Sequence, residues 1–158
     1  MASAVSMDKT IVLDSSFLIA YCAKETGRFE TATSELARFA DEKRALFAPA
    51  VAATESLFAL CRKLYEGALT PAEHTSAIET LVLLLSCVHL HPDGDFLLTE
   101  RAEQIRAGYG CSRSADGIFI ALCEELTRHG QSEIATFDES LHLQAARNAP
   151  TVVVHTLS

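Results

Sequence analysis

The feature that most constrains this chain is an alternation of short apolar runs of strand length with longer stretches of helical period. Thr10-Ile11-Val12-Leu13 is the first run, and it stops at Asp14. Helical periodicity follows through Ser16–Ala23 and through Phe29–Asp41, where Leu36, Phe39 and Ala40 share a face. Ala45-Leu46-Phe47-Ala48 reads as a second strand ended by Pro49, and Val51, Thr54, Glu55, Phe58, Leu60 and Leu64 lie in a helix closed near Gly67. Thr70 and Pro71 suit the cap and first turn of the next helix, which runs to about Leu85. Cys87-Val88-His89-Leu90 is a third strand, and Pro92-Asp93-Gly94 a turn after which Asp95 is expected to cap a helix through Ala107. Gly108-Tyr109-Gly110 breaks that helix, and Ser114 is expected to N-cap another that reaches Gly130. Glu133-Ile134-Ala135-Thr136, a helix over Ser140–Arg147 and the β-branched run Thr151-Val152-Val153-Val154 complete the pattern. Strands separated by helices indicate βαβ units, hence a parallel sheet covered by helices. Residues 1–9 read as a short leader and 10–158 as one domain.

Composition narrows the function classes. The apolar share of 49% suits a packed core, and no apolar run approaches the roughly 18 residues of a membrane span. The first residues lack the basic region and apolar block of a secretion signal, so a cytoplasmic protein is expected. Five cysteines without CxxC spacing argue against a zinc site or a redox motif, and buried, reduced thiols are expected. The formal charge of −8 speaks against nucleic acid if spread evenly, because phosphate binding uses basic surface. Carboxylates gathered to hold cations would give the excess another meaning.

Four acidic residues have the placement for that. Asp14 follows the first strand, Asp138 lies two residues past the fourth, Asp116 opens a helix and Glu55 lies early in the helix after the second strand. In open α/β sheets ligands bind beyond the carboxyl ends of the strands, where such positions meet. Converging carboxylates repel one another unless protons or a cation intervene. A divalent ion there polarises a phosphodiester and activates water. Ser15, Ser16 and Thr136 offer hydroxyls to orient the carboxylates. Taken singly, Asp14 and Asp138 also suit helix caps and Asp116 a helix dipole. Glu55, in an otherwise apolar helix, needs solvent, a partner or a metal.

In order and context these segments resemble the PIN-domain nucleases, most closely the VapC-like toxins. The motifs are Ile11-Val12-Leu13-Asp14-Ser15-Ser16-Phe17-Leu18, Pro49-Ala50-Val51-Ala52-Ala53-Thr54-Glu55, Ala115-Asp116-Gly117-Ile118-Phe119-Ile120-Ala121 and Thr136-Phe137-Asp138. The resemblance runs from about Thr10 to Val154. It implies a three-layer α/β/α fold around a central parallel sheet, and Mg²⁺- or Mn²⁺-dependent endoribonuclease activity. Asp14, Glu55, Asp116 and Asp138 would form the acidic site, with Asp14 and Asp116 as direct metal ligands. It also implies a small antitoxin as partner and a homodimer.

Arg113 is a candidate RNA contact at the rim, and Lys24, Arg62, Lys63 and Arg106 share its ambiguity between phosphate binding and a solvated surface. His89 and His91 are expected to satisfy local hydrogen bonds, and no phosphate-binding glycine loop is present. Two other functions stay open. One is a catalytically silent PIN-fold module that binds RNA or protein. The other is a phosphohydrolase for small phosphoesters, against which stands the absence of an Asp-x-Asp pair after the first strand.

Overall fold

The computed structural model describes residues 4–111 and 114–158. Its elements in chain order are β1 (Lys9–Leu13), α1 (Ser15–Cys22), α2 (Phe29–Asp41), β2 (Ala45–Phe47), α3 (Val51–Tyr65), α4 (Pro71–Leu85) and β3 (Val88–His89). A single 3₁₀ turn, Phe96–Leu98, leads into α5 (Thr99–Ala107), followed by α6 (Asp116–Thr127), β4 (Gln131–Thr136), α7 (Glu139–Asn148) and β5 (Val153–Thr156). The five strands form one sheet in the order β3-β2-β1-β4-β5, every neighbouring pair parallel. Helices α1 to α4 pack among themselves and α5 to α7 pack among themselves, giving the three-layer α/β/α arrangement.

The sequence pattern of β1 follows from this position. Strand β1 is central, with α1 against its neighbour β4 on one face and α6 against both strands on the other. Thr10, Ile11, Val12 and Leu13 are all fully buried, so beyond Lys9 the strand is buried on both faces rather than alternating. Phe17 of α1 anchors one layer, its ring 6.3 Å from Phe39 and 6.2 Å from Phe137. The chain steps outward from β1 to β2 and β3, then returns to place β4 on the other side of β1. The loops after β1 and β4 therefore enter α1 and α7, which belong to different helical layers. That is a topological switch point, where a crevice opens at the strands' carboxyl ends.

Several local expectations change. Thr70 does cap α4, forming a capping box with Glu73. Asp95 caps no helix of its own; its Oδ2 instead accepts the backbone N–H of Ala50, which opens α3. The N-cap of α6 is Ala115, and Ser114 Oγ accepts the N–H of Asp116 at 3.5 Å. Strand β5 begins at Val153 because a turn closed by Val152 N–H on Ala149 C=O occupies Pro150 and Thr151. Of the five free cysteines only Cys22 and Cys123 are buried; Cys61, Cys87 and Cys111 are exposed. His91 lies beyond β3, and its Nδ1 accepts the Asp93 N–H, a local bond as expected.

Gly117 controls how closely α6 approaches α5. A Cβ built there would stand 2.7 Å from the carbonyl oxygen of Ala102. Gly117→Ala is expected to lower stability by about 1–3 kcal/mol, since backbone must shift to relieve the overlap. A urea titration would register the loss, and an unchanged midpoint would show that the helices separate freely.

Candidate active site

Four carboxylates surround the switch point, each delivered by a different element. Asp14 is the residue between β1 and α1, held by its backbone N–H bonded to Ala135 C=O of β4. Its side chain is 4% exposed, and Oδ2 accepts from Ser16 Oγ at 2.6 Å and Thr136 Oγ1 at 2.7 Å. It also accepts from the Ser16 N–H, so Asp14 is the N-cap of α1. Thr136 ends β4 fully buried, and its Oγ1 also accepts the Asp138 N–H at 2.9 Å. One hydroxyl thus ties the side chain of Asp14 to the backbone of Asp138, a physical reason for a Thr two residues before that Asp. Ser16 Oγ accepts the Phe137 N–H at 3.0 Å and fastens the same loop from the α1 side.

Asp138 caps α7 through the Ser140 N–H at 2.8 Å. Asp116 opens α6, is buried, and accepts from Gln144 Nε2 of α7 at 2.6 Å. Glu55 is half-buried on α3 and accepts from Ser15 Oγ at 2.8 Å. The three hydroxyl residues picked from the sequence therefore all contact the carboxylates or their loop. Gln144 was not among the candidates. Its signal is a polar residue sharing the inward face of α7 with Leu141 and Ala145, at helical spacing and fully buried. Arg113 lies outside the described residues.

The electrostatics mark one neighbourhood. Burial pushes the Asp14 carboxyl above the usual carboxylate range; the Ser16 and Thr136 hydrogen bonds oppose this, and the charge of Asp138 adds to it. Burial pushes Asp116 up to about 6, against hydrogen bonds from Ser114 and Gln144 and with help from the charges of Asp14 and Asp138. Glu55 is also raised, by burial first and by Asp14 second, against its Ser15 bond. No Lys, Arg or His among the described residues forms an ion pair with any of the four. An acidic set left without a basic partner, with Asp14, Glu55 and Asp116 strained toward protonation, suits a hard divalent cation. As they stand, no three His, Cys, Asp or Glu side chains among the described residues are grouped tightly enough to hold an ion.

A groove of about 380 Å³ opens beside Ser16, lined by Arg28, Phe58, Arg62 and Lys63 together with Glu25 and Glu66. Arg28 lies 5.3 Å over the ring of Phe137, next to Asp138. The ion pairs of these cations with Glu25 and Glu66 span 3.2–3.8 Å at the surface, where such pairs are weak and exchange readily.

A family model for the PIN domain matches residues 11–147. No curated protein matches the chain in sequence. Among solved structures, a chain of FitAB bound to an IR36 DNA fragment superposes with a TM-score of 0.60 at 16% identity, covering 93% of this chain and 94% of that one. Likeness at that identity speaks to the fold.

Proposed function

Since the chain belongs to the PIN-domain family, whose members are typically metal-dependent nucleases, we propose that it is a Mg²⁺- or Mn²⁺-dependent endoribonuclease acting as the toxin of a toxin–antitoxin pair. The observation that carries this reading is a set of four acidic residues, Asp14, Glu55, Asp116 and Asp138, tied by hydrogen bonds to Ser15, Ser16, Thr136 and Gln144 at the carboxyl ends of β1 and β4, with no basic ion-pair partner among the described residues. Mg²⁺ usually takes only one or two carboxylates and keeps several waters, so it needs no tight cage of three side chains. Asp14 and Asp116 would hold the ion directly, with Asp138 and Glu55 acting directly or through water. The bound ion would supply a Lewis acid and an acidified water for phosphodiester hydrolysis. Hydrogen bonds from Thr136 and Ser16 orient Asp14, and one from Ser15 orients Glu55.

The groove supports a polynucleotide path. Arg28, Arg62 and Lys63 can exchange their surface glutamates for phosphates, and Phe58, 65% exposed, offers a ring for base stacking. The double change Arg28→Ala with Lys63→Ala is expected to raise KM for RNA about tenfold with kcat little altered. The slope of log KM against log salt should fall by about 0.7 per cation removed. An unchanged slope would remove both residues from the path.

A protein partner is favoured by the apolar side chains that α3 and α4 leave in solvent, among them Tyr65 at 93%, Leu83 at 70% and Val82 at 60% exposed. A small antitoxin and a second copy of the chain are the proposed occupants of apolar surface. The loose arrangement of the carboxylates favours one second reading, a PIN-fold module that binds RNA or protein without cutting it. The deciding experiment incubates purified protein with structured RNAs, including tRNA, and with matched single-stranded DNA, in Mg²⁺, Mn²⁺ or EDTA. Metal-dependent RNA fragments support the nuclease; RNA retention without cleavage under every metal supports the module.

A further inference from the structure

Gln144 is fully buried on α7, yet its side chain carries an amide rather than a hydrocarbon. Its Nε2 donates to Asp116 Oδ2 at 2.6 Å and reaches Ser140 Oγ at 3.4 Å. Its Oε1 is buried and has no hydrogen-bond partner among the described residues. Burying an unmatched amide oxygen costs free energy that a leucine or methionine at this position would not incur. The bond to Asp116 is the compensating contact. It has a charged acceptor and a length at the short end for N–H···O, the stronger class of hydrogen bond.

The chemical type of this donor is informative. A lysine or arginine here would neutralise Asp116 and compete with a cation for it. A glutamate would add another negative charge to a cluster already coupled to Asp14 and Asp138. A glutamine orients the carboxylate while leaving its charge available. Helix α7 also begins at Asp138, which accepts the Ser140 N–H, and Ser140 Oγ lies within reach of Gln144. One turn of one helix therefore connects two carboxylates that come from distant parts of the chain. From this geometry we propose that Gln144 is a positioning residue: it fixes the Asp116 carboxylate in the orientation that captures the divalent ion. The proposal rests on the metal-dependent reading of the site.

The test compares Mn²⁺ binding to the full chain, followed by the electron paramagnetic resonance of free Mn²⁺, in wild type, Gln144→Met and Gln144→Asn. Methionine keeps the volume without the donor, and asparagine keeps an amide one methylene too short to reach Asp116. Both variants are expected to bind Mn²⁺ about 10–100-fold more weakly than wild type, the usual consequence of losing a partner behind a metal ligand. In EDTA their thermal transitions should stay cooperative and close to that of wild type. RNA cleavage at saturating Mn²⁺ should recover toward wild type, because excess ion compensates for weakened capture. A folded variant that binds Mn²⁺ as tightly as wild type overturns the role of Gln144. Absence of Mn²⁺ binding in wild type overturns the metal-dependent reading itself, and with it this inference, so the two failures are separate observations. If methionine prevents folding, the asparagine variant decides.

Discussion

Asp14→Asn and Asp116→Asn are each expected to lower metal-dependent RNA cleavage by about a thousandfold or more, while the protein stays folded. A metal ion supplies several kcal/mol of charge stabilisation to a phosphodiester transition state, and each ~1.4 kcal/mol is a factor of ten in rate. Asparagine keeps the size of the side chain and one carbonyl acceptor, so the Ser16 and Thr136 bonds to Asp14 retain a partner. What disappears is the negative charge that would hold the ion. Single-turnover cleavage of a labelled RNA, with far-ultraviolet circular dichroism as a check on folding, measures the effect. Cutting by both variants at the wild-type rate would show that the carboxylates at the β1–β4 crevice are not the reactive centre.

The same substitutions are expected to act in the opposite direction on the metal-free protein. Asp14, Glu55 and Asp116 all have their acidity weakened by burial. A carboxyl whose folded pKa is raised favours the folded state most when it is protonated. That stability is fully present below the unfolded pKa and disappears as pH rises through the folded one. For Asp116 the window runs from 3.8 to about 6. Glu42, Glu73 and Glu124 are lowered by Arg44, by Thr70 and by Arg101, so their contributions are lost only as pH falls below about 4.5. Above pH ~5 the site carboxylates therefore dominate this balance among acidic groups. In EDTA, the melting temperature of Asp116→Asn should exceed that of wild type by about 5 °C at pH 7, with the gap closing toward pH 4. Mn²⁺ should raise wild type and leave the variant nearly unmoved. A gap independent of pH would mean that Asp116 is not strained by its surroundings.

Much of the architecture was legible because the responsible forces are local. The apolar run ending at Asp14 marks a strand buried on both faces, and Thr70-Pro71 with Glu73 announces a helix start through hydrogen bonds three residues apart. The residues that were misread depend on contacts made far along the chain. Asp95 precedes its own helical segment but bonds to Ala50, 45 residues earlier, and nothing near Asp95 encodes that choice. The β-branched character of Thr151 and Val152 suggested strand, yet the turn after Ala149 claims them. The candidate carboxylates could be picked out because Asp14, Asp116 and Asp138 each lie at the start of a helix and Glu55 stands out in an apolar stretch of α3. Gln144 could not, because its partner Asp116 is 28 residues away and only the packing of α7 beside α6 brings them together.

Asp14 and Asp138 do more than carry charge, since each also opens the helix that follows it. Alanine and asparagine at these two positions are consequently different perturbations. Alanine removes an acceptor that secures the first turn, worth about 1 kcal/mol of cap stability; asparagine is as good a capping residue as aspartate. On the proposed nuclease reading, replacing one carboxylate oxygen by an amide nitrogen at either helix start would remove charge from the site and leave the scaffold sound.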